Sequence, residues 1–493
     1  MEITLKVNAV NRREGPGRLE IRADDPALTP HAGLALTGEF CRRLGLIELI
    51  DAEIGVVRRA RPVKARRRGL SPAQYLVSLA ETQLQGGEFF ADVEQLRADE
   101  PGAALRAAAA PSQATARQYA RRFRRSHLHA AERAMARCGK RLDCELGREV
   151  GEEATVDLDA IEIEVFGERK QGAAKSHSGA LAYQAYVATW AERGRALCSE
   201  LEPGNRARVT GAESARMLRR AISHLPEGHG AVNARVDSGF YSVALMRALR
   251  KEGVRFTMSA PRSEAMWRAL EGIPDSAWRE AEGMAGAEVA ETTYAPGGWE
   301  GEPLRLIVRR VAHRASALSA DPRARRLRTI HPEQLPLALG GELDTVYGYS
   351  FIATDHVPER DAVWVEHHHR HRAQVEERLG EAKLGQALRH LPSGDMNANR
   401  VWLHAALTAM NIAAMTCDLC PAAGASGQPA PWRDPERGPP ARRAAKALRR
   451  MLVCVPARVV RSGRRTALRL PEGFRYAETF IATYAAIWAL APP

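Results

Sequence analysis

Three acidic residues of this sequence stand in contexts that suit metal-dependent phosphodiester chemistry. Asp237 follows the apolar, strand-like segment VNARV and precedes Ser238, so it lies where a strand ends and a loop begins. Asp159 interrupts the apolar strand pattern TVDLDAIEIE, and Glu376 lies in the helical stretch HRAQVEERLGEAK. A buried carboxylate is costly unless something neutralises it, and hard cations such as Mg²⁺ take oxygen ligands. Such carboxylates could hold two ions about 3.5–4 Å apart.

Each of these acids also has an ordinary structural interpretation when it is taken alone. Asp237 could cap the helix that follows it, and Asp157 or Asp159 could lie on the exposed face of an edge strand. The first strand therefore offers two candidate acids.

The stretch around the third acid shows a pattern that favours chemistry. His369, Arg372, Glu376 and Lys383 follow one another at spacings of three, four and seven residues. On a helix these residues share one broad face. A carboxylate flanked by cationic side chains on one face suits a metal and a phosphate together.

The charge balance points to a polyanionic partner. The 493 residues contain 72 Lys and Arg against 59 Asp and Glu, which gives a formal net charge of +13 and a pI near 9.7. Much of the excess is arginine in clusters, one of them between Arg58 and Arg68 and another that includes Arg121, Arg122 and Arg125. Such clusters can track phosphates, although a GC-rich genome would also raise the arginine content.

The cysteine pattern and the hydropathy indicate a protein of a reducing compartment. Seven cysteines, odd in number and mostly far apart, do not form a disulfide framework, and we interpret the pair Cys417 and Cys420 as ordinary thiols. The N-terminus lacks the apolar core of a signal peptide, and the apolar stretch from Val401 to Met415 is too short to span a bilayer. We therefore expect a cytoplasmic protein that does not bind membranes.

The periodicity predicts an α/β protein with a helical N-terminal region. Apolar spacing is helical from about Gly33 to Ala136, and Thr115 is a plausible N-cap for a basic helix. From Thr155 the pattern changes to three strands, followed by helix, strand, helix and strand. The order β-β-β-α-β-α-β matches a ribonuclease H-like core.

Three motifs resemble those of a known family. The sequence resembles the insertion-sequence DDE transposases with a Tyr-x2-Arg-x3-Glu-x6-Lys signature, and within them the group with D-x-D-A-T and R-x-D-S-G-F motifs. The corresponding residues here are Asp157-Leu158-Asp159-Ala160-Ile161, Arg235-Val236-Asp237-Ser238-Gly239-Phe240, and the set His369, Arg372, Glu376 and Lys383. The similarity extends from Gly33 to the PARVVRSGRR tail. Two positions depart from the pattern, because His369 replaces tyrosine and Ile161 replaces threonine.

The resemblance implies an activity and a set of site residues. Asp159, Asp237 and Glu376 would hold two Mg²⁺ or Mn²⁺ ions, for cleavage at transposon ends and transfer of the 3′-hydroxyl into target DNA. Asp159 aligns with the family acid better than Asp157, although a two-residue shift stays open. The residues expected to bind DNA are His369, Arg372, Lys383, Arg121, Arg122 and Arg125. Double-stranded DNA is the expected partner, and a homodimer would join two ends. The resemblance also implies a bacterial protein associated with the nucleoid.

Six segments follow from these patterns. They are a helical DNA-binding region (1–150), the first part of the ribonuclease H-like core (151–262), a β-rich insertion (263–362), the last part of the core with the Glu376 helix (363–420), a linker (421–445) and a C-terminal hairpin and helix (446–493). Two other functions remain open: a transposase-derived DNA-binding protein without catalysis, and a metal-dependent nuclease of the same fold.

Overall fold

The structure is a computed structural model of a mixed α/β protein built around a ten-stranded sheet. It describes residues 3–5, 19–21, 23–58, 60–64, 68–148, 151, 153–176, 179–206, 210–319, 321, 324, 326–373, 385, 387–421 and 448–493. Nearly all of the predicted linker at 421–445 lies outside these residues. No helix in the described part of the chain is both long and apolar enough to cross a membrane.

The N-terminal region consists mainly of helices. They are α1 (Leu34–Arg43), α2 (Leu46–Gly55), α3 (Pro72–Leu84), α4 (Val93–Ala98), α5 (Gln113–Ala120) and α6 (Arg125–Glu145). Three short strands precede them: β1 (Ile3–Leu5), β2 (Leu19–Ile21) and β3 (Leu28–Thr29). The prediction of an all-helical region misses these strands, because β3 pairs with a strand near residue 457 and local periodicity carries no signal for such a distant partner.

Local capping decides where two of these helices begin. The Ser71 hydroxyl accepts a hydrogen bond from the amide of Gln74, whose side chain accepts one from the Ser71 amide, so α3 starts with a capping box. In α5 the N-cap is Ser112, whose hydroxyl accepts from the Thr115 amide, and not Thr115 as predicted. The basic helix predicted after Thr115 is also divided: α5 ends at Ala120, Arg121 and Arg122 lie between the helices, and Arg125 begins α6.

The centre of the sheet follows the predicted order of strands and helices. Its elements are β4 (Ala154–Glu164), β5 (Ala174–Lys175), β6 (Leu181–Trp190), β7 (Arg195–Pro203), α7 (Gly211–Ile222), β8 (Val232–Val236), α8 (Val243–Lys251) and β9 (Arg255–Ala260). In space the order is β7, β6, β4, β8, β9, with β4, β8 and β9 parallel and the pairs β4–β6 and β6–β7 antiparallel. All five residues of β8 are buried, as expected for a parallel strand covered on both faces.

The segment predicted as an insertion continues the same sheet. It contains α9 (Glu264–Glu271), β10 (Arg279–Glu280), β11 (Ala287–Tyr294), β12 (Leu304–Arg314), α10 (Gln334–Leu339) and β13 (Thr345–Thr354). Strand β13 pairs antiparallel with β9, and β12, β11 and β10 follow it outwards. The β-rich segment is thus attached directly to the strand beside β8.

The remaining elements join the helical region to the sheet. They are α11 (Ala362–Arg370), α12 (Met396–Asp418), a π-helical turn (Arg449–Val453), β14 (Ala457–Ser462), β15 (Arg465–Arg469) and α13 (Ala477–Ala489). Most residues of α12 are buried, and this helix contacts α1, α3, α6 and β7. The Asn411 amide group exchanges two hydrogen bonds of 2.8 Å with the Ala196 backbone, which ties α12 to β7.

Candidate active site

Two of the three predicted acids lie side by side on neighbouring parallel strands, Asp159 in the middle of β4 and Asp237 directly after the end of β8. The register of β4 and β8 pairs Leu158 with Val236. The next position therefore places Asp159 beside Asp237, where β8 ends and a short 3-10 turn begins. Because the two positions are adjacent across a parallel strand pair, these side chains can act together.

One arginine bridges these two carboxylates. Arg372 lies just after α11, with its Nη1 atom 3.2 Å from Asp159 Oδ2 and its Nη2 atom 3.3 Å from Asp237 Oδ1. Its side chain is only 12% exposed, and the carboxylate of Asp159 is similarly buried. The other oxygen of Asp159 accepts a hydrogen bond from the Ala160 amide. The guanidinium thus supplies positive charge to both acids.

The other acid of the first strand has a structural partner. Asp157 is 0% exposed, and its two carboxylate oxygens accept hydrogen bonds from Arg235 Nε at 2.5 Å and Nη2 at 2.6 Å. Arg235 also donates from Nη1 to the backbone carbonyl of His368 in α11. This bidentate pair occupies Asp157 fully and favours Asp159 as the acid that faces the site.

The contribution of Arg235 was not recognised from the sequence, although a signal for it is present. Arg235 stands two residues before Asp237, and Asp157 stands two residues before Asp159. Residues two apart on a strand share a face, so two parallel strands in register place these two pairs next to each other. The two-residue spacing on both strands therefore indicates the neighbouring acids Asp159 and Asp237 and also the adjacent ion pair between Asp157 and Arg235.

His369 has an environment at odds with the predicted contact to DNA. The ring is buried, with Nδ1 2.8 Å from Thr257 Oγ1 and Nε2 2.8 Å from Ser259 Oγ in β9. Burial, together with the positive charge of Arg372, lowers the pKa of His369 well below its usual value. A neutral, buried ring with both nitrogens engaged leaves no donor for a phosphate in this arrangement. Its contacts instead fix the end of α11 to the sheet.

The helix that carries Arg372 into the site is held by a buried ion pair. The carboxylate of Glu366 is fully buried, 2.7 Å from Arg309 Nη1 in β12 and 3.1 Å from Arg370 Nε. The ring of Trp364 stacks on His368 with centroids 4.7 Å apart. Burial lowers the pKa of His368 to about 3, so this ring is neutral at ordinary pH. These contacts determine where α11 ends and therefore where Arg372 lies.

The third acid and the signature lysine are not among the described residues. Glu376 and Lys383 both fall in the range 374–384, so the structure does not test their predicted places. Within the described ranges, no group of three or more His, Cys, Asp or Glu side chains could hold a metal. The Asp159 and Asp237 oxygens are nevertheless the hard donors that Mg²⁺ and Mn²⁺ prefer. The carboxylates of Asp159 and Asp237 fit such an ion, and Glu376 is the predicted third ligand.

The predicted N-terminal DNA-binding arginines divide into two kinds. Arg121 and Arg122 are exposed at the junction of α5 and α6. Arg125 pairs with Glu202 at 2.6 Å and with Glu200 at 3.5 Å, so much of its charge is compensated. In the described parts of the chain, no recorded contact joins these arginines to the candidate acids.

The fold and the site define a mixed α/β protein with carboxylates paired across two adjacent parallel strands, Asp159 within β4 and Asp237 directly after β8. The chain belongs to the family described as transposase DDE domain, group 1, whose model matches residues 13–325, more than half of the chain. The matched range contains Asp159 and Asp237 and ends before Arg372. Among curated proteins, none matches the chain significantly.

One solved structure resembles the chain weakly. It is a cryo-EM structure of a piggyBac transposase synaptic complex with hairpin DNA, 9% identical in sequence, with a TM-score of 0.37. The alignment covers 78% of this chain and 75% of that one. A likeness of this size is too weak to support an argument about function.

Proposed function

We propose that this protein is a DDE transposase that cleaves DNA at transposon ends and joins the freed 3′-hydroxyl to target DNA. The observation that carries the proposal is the pair Asp159 in β4 and Asp237 directly after β8, bridged by Arg372. The two adjacent carboxylates provide oxygen ligands for a metal, and the guanidinium of Arg372 provides a partner for a phosphate. Membership in the transposase DDE domain family is consistent with this chemistry.

The arrangement of the central strands supports a ribonuclease H-like core. Strands β7, β6 and β4 form an antiparallel unit, and β8 and β9 continue it in parallel with helices between them. This is the arrangement expected from the order β-β-β-α-β-α-β. Asp159, which we propose as the first acid, lies on the central strand β4, and Asp237, the proposed second acid, directly follows β8. We propose that the helix containing Glu376 brings in the third acid.

The proposed mechanism assigns separate tasks to the side chains. Asp159, Asp237 and Glu376 would hold two Mg²⁺ or Mn²⁺ ions, which when bound supply activation of the nucleophile and stabilisation of the leaving oxygen. Arg372 would exchange its contacts with the carboxylates for contacts with a DNA phosphate, and Lys383 would hold the same phosphate group. An in-line displacement of this kind needs no covalent intermediate with the protein.

The proposed partner is double-stranded DNA. Arg121 and Arg122 are exposed and can contribute phosphate contacts, whereas Arg125 would first have to give up its pairs with Glu200 and Glu202. Two transposon ends must be cut and joined together, so we propose a homodimer in the synaptic complex. We infer this stoichiometry from the reaction. It does not rest on a contact among the described residues.

A cleavage and joining assay tests the proposal. The full-length protein is incubated with Mn²⁺ or Mg²⁺, the terminal inverted repeats that flank its gene, and a target plasmid. We expect metal-dependent cleavage and joining by the wild type, and loss of both in Asp237→Ala and Glu376→Ala. Asp275→Ala is the matched control, because this side chain is fully exposed and lies outside the site.

The outcomes separate the competing functions. DNA binding without metal-dependent cleavage would identify a DNA-binding protein that has lost catalysis. Cleavage without joining would identify a nuclease of the same fold. Full activity in Asp237→Ala would remove this residue, and the proposed site with it, from the reaction.

A further inference from the structure

The C-terminal hairpin presents a dense set of exposed arginines. Strands β14 and β15 meet at a turn that contains Gly463, whose φ of 58° lies in the left-handed region that glycine adopts easily. Between residues 456 and 476 the chain has one acid, Glu472, and six arginines, all of them exposed. The arginines are Arg458, Arg461, Arg464, Arg465, Arg469 and Arg475. We call the region from 457 to 469 the arginine hairpin.

The two faces of the arginine hairpin differ in character. Ala457 and Val459 are buried, so their face of β14 packs against the protein. Side chains alternate along a strand, and the register pairs Arg458 directly with Arg469. Arg458, Arg465 and Arg469 therefore share the opposite, solvent-facing side. Like charges directly opposite each other destabilise a strand pair, so folding alone does not account for this arrangement.

Most of this positive charge lacks a compensating acid. Arg458 pairs with Asp25 at 3.0 Å. For the other arginines of the hairpin, no ion pair is recorded with any described residue. Some exposed arginines elsewhere are compensated: Arg133 and Arg137, for example, share the carboxylate of Glu53. The hairpin is thus a local concentration of cationic charge available to a partner.

We propose that the arginine hairpin is a binding site for the phosphate backbone of duplex DNA, separate from the Asp159–Asp237 site. The proposal rests on the proposed function in one respect, namely that DNA is the substrate. A two-stranded ribbon has dimensions that a DNA groove admits, and guanidinium forks bind phosphates bidentately. From Arg465 to Arg469 the strand runs about 13 Å, over which B-DNA carries roughly eight charges. Several contacts can therefore form at once.

The test is the salt dependence of DNA binding by the full-length protein. The affinity for a duplex of arbitrary sequence is measured in EDTA at several salt concentrations, for the wild type and for a variant with Arg461→Gln, Arg464→Gln, Arg465→Gln and Arg469→Gln. The slope of log K against log salt is negative, and each lost phosphate contact reduces its magnitude by about 0.9. We expect this magnitude to fall by about 2 or more.

A matched variant controls for total charge. It carries Arg97→Gln, Arg137→Gln, Arg206→Gln and Arg219→Gln, which also remove four exposed positive charges, each paired with an acid. We expect its slope to match that of the wild type. A hairpin variant with four Arg→Lys changes keeps the charge and should keep the slope, which separates a loss of contacts from a loss of folding.

Each result bears on the proposal in a defined way. An unchanged slope in the glutamine hairpin variant, or an equal fall in the matched control, overturns it. A loss of affinity for single-stranded RNA alone, with duplex binding intact, also overturns it in favour of a different partner. If the salt-dependence slope of the glutamine hairpin variant equals that of the wild type, and the wild type shows metal-dependent cleavage, only this inference fails. If the wild type binds no duplex DNA, the proposed function fails as well.

Discussion

The guanidinium of Arg372 contacts the same carboxylate oxygens that a divalent ion would bind. One of its nitrogens lies 3.2 Å from Asp159 and another lies 3.3 Å from Asp237. Direct metal ligation requires oxygen atoms about 2.0–2.2 Å from the ion, so the arginine and the metal compete for these atoms. A DNA phosphate that attracts Arg372 would therefore favour metal binding at the acids.

Replacing this arginine should strengthen metal binding when DNA is absent. We expect Arg372→Gln to bind Mn²⁺ on the order of tenfold more tightly than the wild type, because a competing positive charge is removed from the two acids. Electron paramagnetic resonance of free Mn²⁺ measures this affinity directly. Arg360→Gln is the control, since it removes the same charge from an exposed ion pair with Glu153. Equal or weaker binding by Arg372→Gln would rule out the competition.

The two acids of the first strand should respond differently to the same substitution. Asp157→Asn leaves the buried guanidinium of Arg235 without its charged partner, which should lower the free energy of unfolding by on the order of 3–5 kcal/mol. Asp159→Asn should lower stability less, because Arg372 keeps Asp237 as a charged partner, and it should abolish cleavage. Urea unfolding and the cleavage assay measure the two effects. The assignment of Asp159 would be wrong if Asp159→Asn cleaved DNA normally.

At the scale of elements, α11 connects the β-rich segment to the site. Glu366 binds this helix to Arg309 in β12, His369 binds it to β9, and Arg235 reaches its last turn from β8. Three strands of one sheet thus hold the helix whose end delivers Arg372. The β-rich segment has a structural part in the site in addition to any contact with DNA.

Loss of the buried carboxylate should loosen α11. We expect Glu366→Gln to raise hydrogen exchange of the amides of 362–370 by roughly tenfold, because Arg309 and Arg370 lose their shared charged partner. Mass spectrometry of peptides from this helix provides the measurement. Glu264→Gln, in the exposed pair with Arg268, should leave exchange unchanged. If both variants exchange like the wild type, the ion pair does not hold the helix.

At the scale of the whole molecule, several buried histidines are kept neutral. Burial lowers the pKa of His224, His356 and His404 to about 4, against about 6.5 in an unfolded chain. Between these values the unfolded chain binds protons that the folded chain does not. Stability must therefore fall as the pH drops from about 6.5 towards 4. Glu81, whose pKa burial raises to about 7, acts in the opposite direction over part of this range.

Removing one of these histidines should flatten the pH dependence. His404→Gln keeps a side chain of similar size without a group that titrates. We expect the slope of unfolding free energy between pH 6 and pH 5 to fall by one proton, about 1.4 kcal/mol per pH unit, relative to the wild type. Urea unfolding at fixed pH values measures this slope. An unchanged slope would show that His404 does not remain neutral in the folded protein.

The sequence by itself contained the parts that depend on local pattern. The alternating segment before Asp237 predicted a strand that ends at Val236, and β8 ends at this residue. The segment with Asp157 and Asp159 offered two acids, one structural and one facing the site, but the pattern could not tell which was which. Burial of one face of a strand or helix produces periodicity, so these features are readable without knowledge of the partner.

Only the tertiary structure decided which surfaces meet. It placed Asp157 under Arg235 and Asp159 against Arg372, and it buried His369 between two hydroxyls of β9. It also paired β3 with β14 across the length of the chain and attached β13 to β9. Such contacts join residues far apart in sequence, and their energies depend on the whole packed arrangement. No local pattern encodes that arrangement.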